Sequence, residues 1–422
     1  MNAKKLKNGM RVHLLPINST KAVTVLVLTK VGSRYENNKV RGGSHFIEHL
    51  MFKGTKRRPT TLDISKTLDQ YGAEFNAYTG KDMTGYYIKI AGDKTPIAID
   101  LLHDMIFNSK YDQKEITREK GVIVEEIKMY EENPIMHVSD LIEQAIFEGN
   151  SLGLEIAGTA DSVKAMKRQD LINYRDKYYV PSEMVVIVSG NIPKNTITLL
   201  NKTFGSIKQK EKPPEFNHYH NPVRPIRIKR QFKDLKQIQV ALGFETPGRS
   251  NDDMPAIRLL AGILGGAMSS RLFIEVRERR GLCYSIRASV DNYEDVGVFL
   301  IRAGLDAERL TEAMKVIFGE LKKIKKNGVT EKELRYIKDN IAGSLKLSLE
   351  DSSNYAEFFG RQELYLSKAE TPEERLLEIE KVTCVDIKRV ANLILDLEKF
   401  AIAVVGPYKN DAALLKHLPV IG

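Results

Sequence analysis

The stretch Arg41-Gly42-Gly43-Ser44-His45-Phe46-Ile47-Glu48-His49-Leu50-Met51-Phe52-Lys53-Gly54 sets two histidines and a glutamate inside an apolar run. On a helix, His45 and His49 stand one turn apart on one face, with Glu48 on the neighbouring edge. Two imidazoles on one face can share a metal ion. The surrounding Phe46, Ile47, Leu50, Met51 and Phe52 would bury the helix on its other sides, so three polar groups in that setting need compensation. A shuffled chain of this composition would contain the pattern roughly once in a hundred trials, which makes chance a poor explanation.

A catalytic metal site takes three protein ligands and keeps a fourth position for water. Five further histidines do not supply the third. His13, His103 and His137 have strand, helix or turn roles that need no metal, and His218 and His220 sit in a polar, proline-rich stretch where they read as solvent-facing. A carboxylate from another element is the natural choice. The segment Arg118-Glu119-Lys120-Gly121-Val122-Ile123-Val124-Glu125-Glu126 puts Glu119, Val122, Ile123 and Glu126 on one helical stripe. Glu125 points about 100° away and is expected to be exposed.

The elements that must position these groups follow from periodicity. Met10 to Pro16 and Val23 to Val31 alternate as strands, followed by the motif helix and a helix near Leu62 to Gln70. Glu74 to Ile90 reads as a hairpin. Helical spacing covers Thr95 to Asn108 and Gln113 to Glu132, where Pro134 predicts a stop, then His137 to Glu148 and Asp170 to Tyr179. The apolar run Met184 to Gly190 is a further strand. Residues 208–225 carry four prolines among polar residues and predict an extended linker.

Beyond the linker the order returns. Ile88-Lys89-Ile90-Ala91-Gly92 has a counterpart in Leu300-Ile301-Arg302-Ala303-Gly304, and the strand ending at Gly190 in Phe400 to Gly406, each roughly half the chain later. The predicted fold is α+β: two tandem homologous α/β units, 1–207 and 226–422, each a mainly antiparallel sheet flanked by helices. The first helix of the second unit, Asp253 to Gly266, has no histidine and no acidic residue after Asp253, so only the first unit can hold the metal.

Composition narrows the function classes. The net charge of +10 is spread along the chain, and the run Lys322 to Lys326 closes a predicted helix where cations suit its dipole, so nucleic-acid binding is not expected. Two cysteines, Cys283 and Cys384, cannot build a disulfide framework. The early apolar run Val23 to Leu28 is too short to span a bilayer, and the start lacks the apolar core of a signal peptide. A cytoplasmic protein without membrane partners is expected.

The ordering His-x-x-Glu-His is the inverzincin pattern. With Phe-Asn-Ala-Tyr-Thr (75–79), Glu-Lys-Gly-Val-Ile-Val-Glu-Glu-Ile (119–127), Leu-Gly-Leu-Glu-Ile-Ala-Gly-Thr (152–159) and Met-Ser-Ser-Arg-Leu-Phe (268–273), the chain resembles the pitrilysin family of metallopeptidases. The likeness is to its short-subunit branch, which holds mitochondrial processing peptidase and its bacterial relatives. The resemblance implies one zinc ion per chain held by His45, His49 and Glu126, with Glu48 as general base and Glu119 as a catalytic support behind the ligands. It implies peptide binding along the edge strand through Asn76 and Ala77, although Asn76 also reads as an ordinary strand-end amide. It implies that Arg277 and Tyr284 reach the substrate; by themselves they read as a surface ion pair and a core aromatic.

The activity implied is endopeptidase cleavage of unfolded or short peptides bound in extended form. The alternative is a catalytically silent scaffold or partner subunit of the same architecture, in which the motif is usually degraded. Longer family members contain four such units in one chamber, so two units imply a homodimer.

Overall fold

The computed structural model describes residues 3–221, 226–366 and 369–419. In chain order the first half contains β1 (Lys4–Lys5), β2 (Arg11–Pro16), β3 (Ala22–Thr29), α1 (Gly43–Met51), α2 (Thr61–Asp69), β4 (Glu74–Thr79) and β5 (Thr84–Ala91). There follow α3 (Thr95–Asn108), α4 (Gln113–Glu132), α5 (Pro134–Ile146), α6 (Ala160–Ala165), α7 (Arg168–Tyr178), β6 (Met184–Gly190) and α8 (Thr196–Lys202). The second half contains β7 (Arg227–Phe232), β8 (Gln237–Pro247), α9 (Met254–Ala261), β9 (Cys283–Asn292), β10 (Val296–Asp306), α10 (Leu310–Asn327) and α11 (Glu331–Ser348). It closes with α12 (Ser352–Tyr365), α13 (Pro372–Lys381), α14 (Cys384–Ile394), β11 (Ala401–Gly406) and α15 (Asp411–Leu415).

The chain divides into two compact units. In the first, six strands pair in the order β1-β2-β6-β3-β5-β4, with β2 and β6 parallel and the other pairs antiparallel. One face carries Val12, Val23, Val25, Val27, Tyr86, Ile88, Val186 and Val188, packed with apolar residues of α1, α3, α4 and α7. The other face carries Leu15, Leu26, Leu28, Val185 and Ile187, and α12 covers it through Ala356 and Phe359. Polar pairs fix the register of α12: Thr24 Oγ1 to Ser352 Oγ at 2.8 Å, Lys89 Nζ to Asp351 at 2.8 Å, and His13 Nε2 to Glu363 at 2.7 Å. His13 therefore serves packing, as expected of it.

The second unit repeats this plan. Its five strands pair in the order β7-β11-β8-β10-β9, again with one parallel pair, β7 and β11. Strand by strand this is the order of β2-β6-β3-β5-β4, so the α+β reading and the internal duplication hold at the level of topology. Here the exchanged helix is α5, whose Val138, Leu141, Ile142 and Ala145 pack on Ala241, Val298, Leu300, Ala401 and Ala403. The compact units therefore differ from the linear halves: residues 128–154 join the second unit and residues 345–372 join the first.

Several local expectations are corrected. Pro134 does not only end a helix: Asn133 accepts hydrogen bonds from the backbone N–H of Ile135 and Met136, and Pro134 occupies the first turn of α5, where its missing N–H costs nothing. Val122 is 48% exposed, and the buried side of α4 is formed by Ile116, Glu119, Ile123, Val124 and Ile127. Residues 208–221 run without helix or strand, as an extended linker does, and Phe216 anchors them: it is buried with its ring 3.4 Å from the Arg34 guanidinium and edge-on to Tyr35. His218 is exposed but has an acidic neighbour, Asp295, at 3.4 Å. Residues 222–225 of the predicted linker lie outside the described residues. No helix among the described residues is long and apolar enough to cross a membrane.

Candidate metal centre

The start of α1 is fixed by backbone constraints. Gly42 has φ +86°, in the left-handed region, and a Cβ there would stand 2.5 Å from the carbonyl oxygen of Ala157. Glycine is therefore required at this turn. Glu36 accepts the backbone N–H groups of Gly42 at 2.6 Å and Ser44 at 2.7 Å, satisfying two donors at the start of the helix, while burial pushes its carboxyl up to about 8. Phe46, Ile47, Leu50 and Met51 are buried. The polar side left over carries His45, Glu48 and His49.

His45 Nε2 and His49 Nε2 stand 3.2 Å apart. Glu126 of α4 brings Oε2 to 3.4 Å from His49 Nε2 and 3.7 Å from His45 Nε2. Atoms bound about 2.0–2.1 Å from a tetrahedral ion lie about 3.3 Å from one another, so the three edges have the size of one face of a zinc tetrahedron. Two ring nitrogens and a carboxylate at such distances repel unless a proton or a cation lies between them. Among the described residues this is the one group of three or more His, Cys, Asp or Glu side chains so arranged. The donor set, two imidazoles and a carboxylate, suits zinc.

A second layer of side chains orients the first. Glu119, buried on α4 two turns before Glu126, holds His49 Nδ1 at 2.8 Å, which turns Nε2 toward the group. Its other oxygen meets Lys53 Nζ at 2.9 Å. Burial opposes the charge on Glu119, but His49 and Lys53 outweigh it and hold the carboxyl below its usual range. Burial and the neighbouring His49 push His45 down to about 4, leaving its ring neutral with a lone pair to give. Burial also works against a charged His49, yet Glu119 and Glu126 overcome it and push that ring up to about 9 in the metal-free protein. A proton on His49 thus balances the carboxylates when no ion does.

Glu48 leaves the triangle and meets the sheet. Its Oε2 accepts a hydrogen bond from Thr79 Oγ1 at 2.6 Å, and burial pushes its carboxyl above the ordinary range while Thr79 pulls it back. Thr79 ends β4, the edge strand, which among the described residues pairs only with β5. Gly80 N–H donates to Met83 O at 2.8 Å in the β4–β5 turn, so by antiparallel alternation the backbone groups of Tyr78 and Asn76 face β5. Those of Ala77 and Thr79 face the open edge. Asn76 Oδ1 accepts the Ala77 N–H at 2.9 Å, in the place where an added strand would offer a carbonyl.

Arg277 and Tyr284 belong to the second unit. Arg277 lies in a π-helical turn, Phe273–Glu278, with its guanidinium 4.7 Å from the Phe273 ring and 5.7 Å from the Tyr284 ring. Tyr284 is 75% exposed near the start of the edge strand β9, so it is not a core aromatic. The only ion pair of Arg277 among the described residues is a loose one to Glu278 at 3.8 Å. Two contributors escaped the sequence reading. Thr79 shares the strand face of Ala77, two residues back, and Lys53 stands four residues after His49; both spacings were available as signals.

A sheet-and-helix unit repeated twice, with a His-His-Glu group among the described residues in the first copy alone, is the plan of a two-unit metallopeptidase fold. Residues 11–160 match the family described as Insulinase (Peptidase family M16), and residues 165–341 match the Peptidase M16 inactive domain. The chain belongs to the peptidase M16 family. It is 36% identical to a Bacillus subtilis protein named as an uncharacterized zinc protease, covering 96% of this chain and 98% of the relative. A Mycobacterium leprae protein of the same description is 34% identical over 99% of this chain and 94% of its own. Among solved structures, a protease from Helicobacter pylori superposes with a TM-score of 0.90 at 26% identity, covering 96% of this chain and 99% of that one.

Proposed function

We propose that the protein is a zinc-dependent endopeptidase that cleaves unfolded or short peptides held in extended form. The observation that carries this reading is the triangle of His45 Nε2, His49 Nε2 and Glu126 Oε2, with Glu48 beside it on the same helix turn. His45, His49 and Glu126 are the proposed ligands of one zinc ion per chain. When bound, zinc would lower the pKa of a water toward ~7 and polarise a peptide carbonyl.

Glu48 takes the proton of the attacking water and returns it to the leaving amine, a role that suits a carboxyl shifted upward by burial. Glu119 keeps His49 in the tautomer that offers Nε2. Ala77 and Thr79 present outward backbone groups along β4 that can pair with an extended peptide, and Asn76 must turn away from the Ala77 N–H to admit it. Arg277 and Tyr284, an accessible guanidinium beside an accessible phenol, are proposed substrate contacts able to donate to a peptide carbonyl or an oxyanion.

The intact ligand set supports an enzyme over a silent scaffold. We further propose a homodimer, and a cytoplasmic setting in keeping with two free cysteines. Metal analysis followed by digestion of an unstructured peptide library, read by mass spectrometry, tests the reading. About one zinc per chain and cleavage abolished by a chelator are expected; a zinc-loaded protein that cleaves nothing would refute the enzyme.

A further inference from the structure

Thr79 belongs to the open edge of the sheet and also bonds the glutamate of the motif. Its backbone N–H and C=O face the edge away from β5, while its side chain turns to the face of α1 and donates to Glu48 Oε2 at 2.6 Å. A hydroxyl-to-carboxylate bond of that length is charge-assisted and directional. Glu48 Oε1 makes no hydrogen bond among the described residues, so Thr79 occupies one oxygen and leaves the other for a reactant. No other side chain among the described residues holds Glu48 by a hydrogen bond, so of its three torsions' staggered settings the Thr79 bond favours those that bring Oε2 to the hydroxyl.

We propose that Thr79 is a positioning residue: it holds Glu48 in its working rotamer and ties that rotamer to the strand along which the peptide is bound. This rests on the proposed peptidase reading. Thr79 would act through Glu48 and make no zinc contact. A peptide that pairs with the edge would bond the backbone of the same residue whose hydroxyl steers the base, so strand addition and orientation of the carboxylate would be set together.

Two readouts test it. First, Glu48 is modified with a water-soluble carbodiimide in metal-free wild type, Thr79→Val and Thr79→Ser, and the label is quantified by peptide mapping. Thr79→Val should label about tenfold faster than wild type, with Thr79→Ser close to wild type, because only valine lacks the donor. Second, the zinc-loaded proteins are assayed on an unstructured peptide. Thr79→Val should lower kcat about tenfold with KM and zinc affinity within about twofold, and Thr79→Ser should recover most of it. Equal labelling of all three, or a Thr79→Val protein that keeps full kcat or loses zinc in step with activity, would overturn the proposal. The labelling result stands even if no peptide is cleaved, an outcome that would sink the peptidase reading alone.

Discussion

Glu119 joins His49 to Lys53: one carboxylate oxygen holds His49 Nδ1 at 2.8 Å while the other holds Lys53 at 2.9 Å, behind the proposed metal ligands. The lysine fixes the carboxylate, the carboxylate fixes the ring, and the ring presents Nε2 beside His45 and Glu126. Replacing Glu119 by glutamine keeps the volume and weakens the ring's orientation and basicity. Glu119→Gln should lower zinc affinity about 10–100-fold with the fold intact, measured by competition with a chromophoric chelator. Unchanged affinity would show that His49 is oriented by other means.

The same pairing sets a pH dependence. Glu119 and Glu126 push metal-free His49 up to about 9, so at neutral pH the ring carries a proton that zinc must displace. Zinc affinity should therefore rise about tenfold per unit from about pH 6 to 8 and level off above about pH 9. Calorimetry in buffers of different ionisation heat should show about one proton released per zinc near pH 7. A flat profile would mean that His49 is already neutral.

Glu126 and Glu125 are adjacent but differ in direction. Glu126 Oε2 lies within 3.7 Å of both ring nitrogens, whereas Glu125 is exposed. Glu126→Gln should weaken zinc binding strongly and Glu125→Gln should leave it within about twofold, both by chelator titration. The reverse ranking would place the ligand one residue earlier on α4.

The exchanged helix makes a stability prediction. Phe359, fully buried on α12, packs on the sheet of the first unit although it lies in the second half of the sequence. Phe359→Ala should destabilise that unit by about 3–5 kcal/mol, seen in chemical unfolding followed by circular dichroism. A fragment of residues 1–207 lacks α12, exposes Leu15, Leu26, Leu28, Val185 and Ile187, and should aggregate when expressed alone.

Much of this was legible in the sequence where local spacing sufficed. Thr95–Asn108 and Gln113–Glu132 have the bounds that periodicity predicts, and His45, His49 and Glu126 converge from two helices whose buried faces are visible in the pattern. What periodicity cannot supply is the partner of a buried face. It shows that α12 has an apolar side, but not that the side covers β3 and β6 some 160 residues or more away in sequence. Spacing from Ala77 gives the strand face of Thr79, but not that its hydroxyl meets Glu48, because that hydrogen bond joins a strand end to a helix. Val122 was misplaced because helical phase alone cannot tell the centre of a buried stripe from its margin.

The most direct test of the proposed peptidase compares zinc-loaded wild type with Glu48→Gln, in parallel for zinc content and for cleavage of an unstructured peptide. Glutamine fills the same space and cannot take a proton, while His45, His49 and Glu126 are left as they are. The account predicts about one zinc per chain in both proteins, cleavage by wild type, and cleavage by Glu48→Gln reduced at least about 1000-fold. Cleavage by Glu48→Gln at a rate near that of wild type would contradict it.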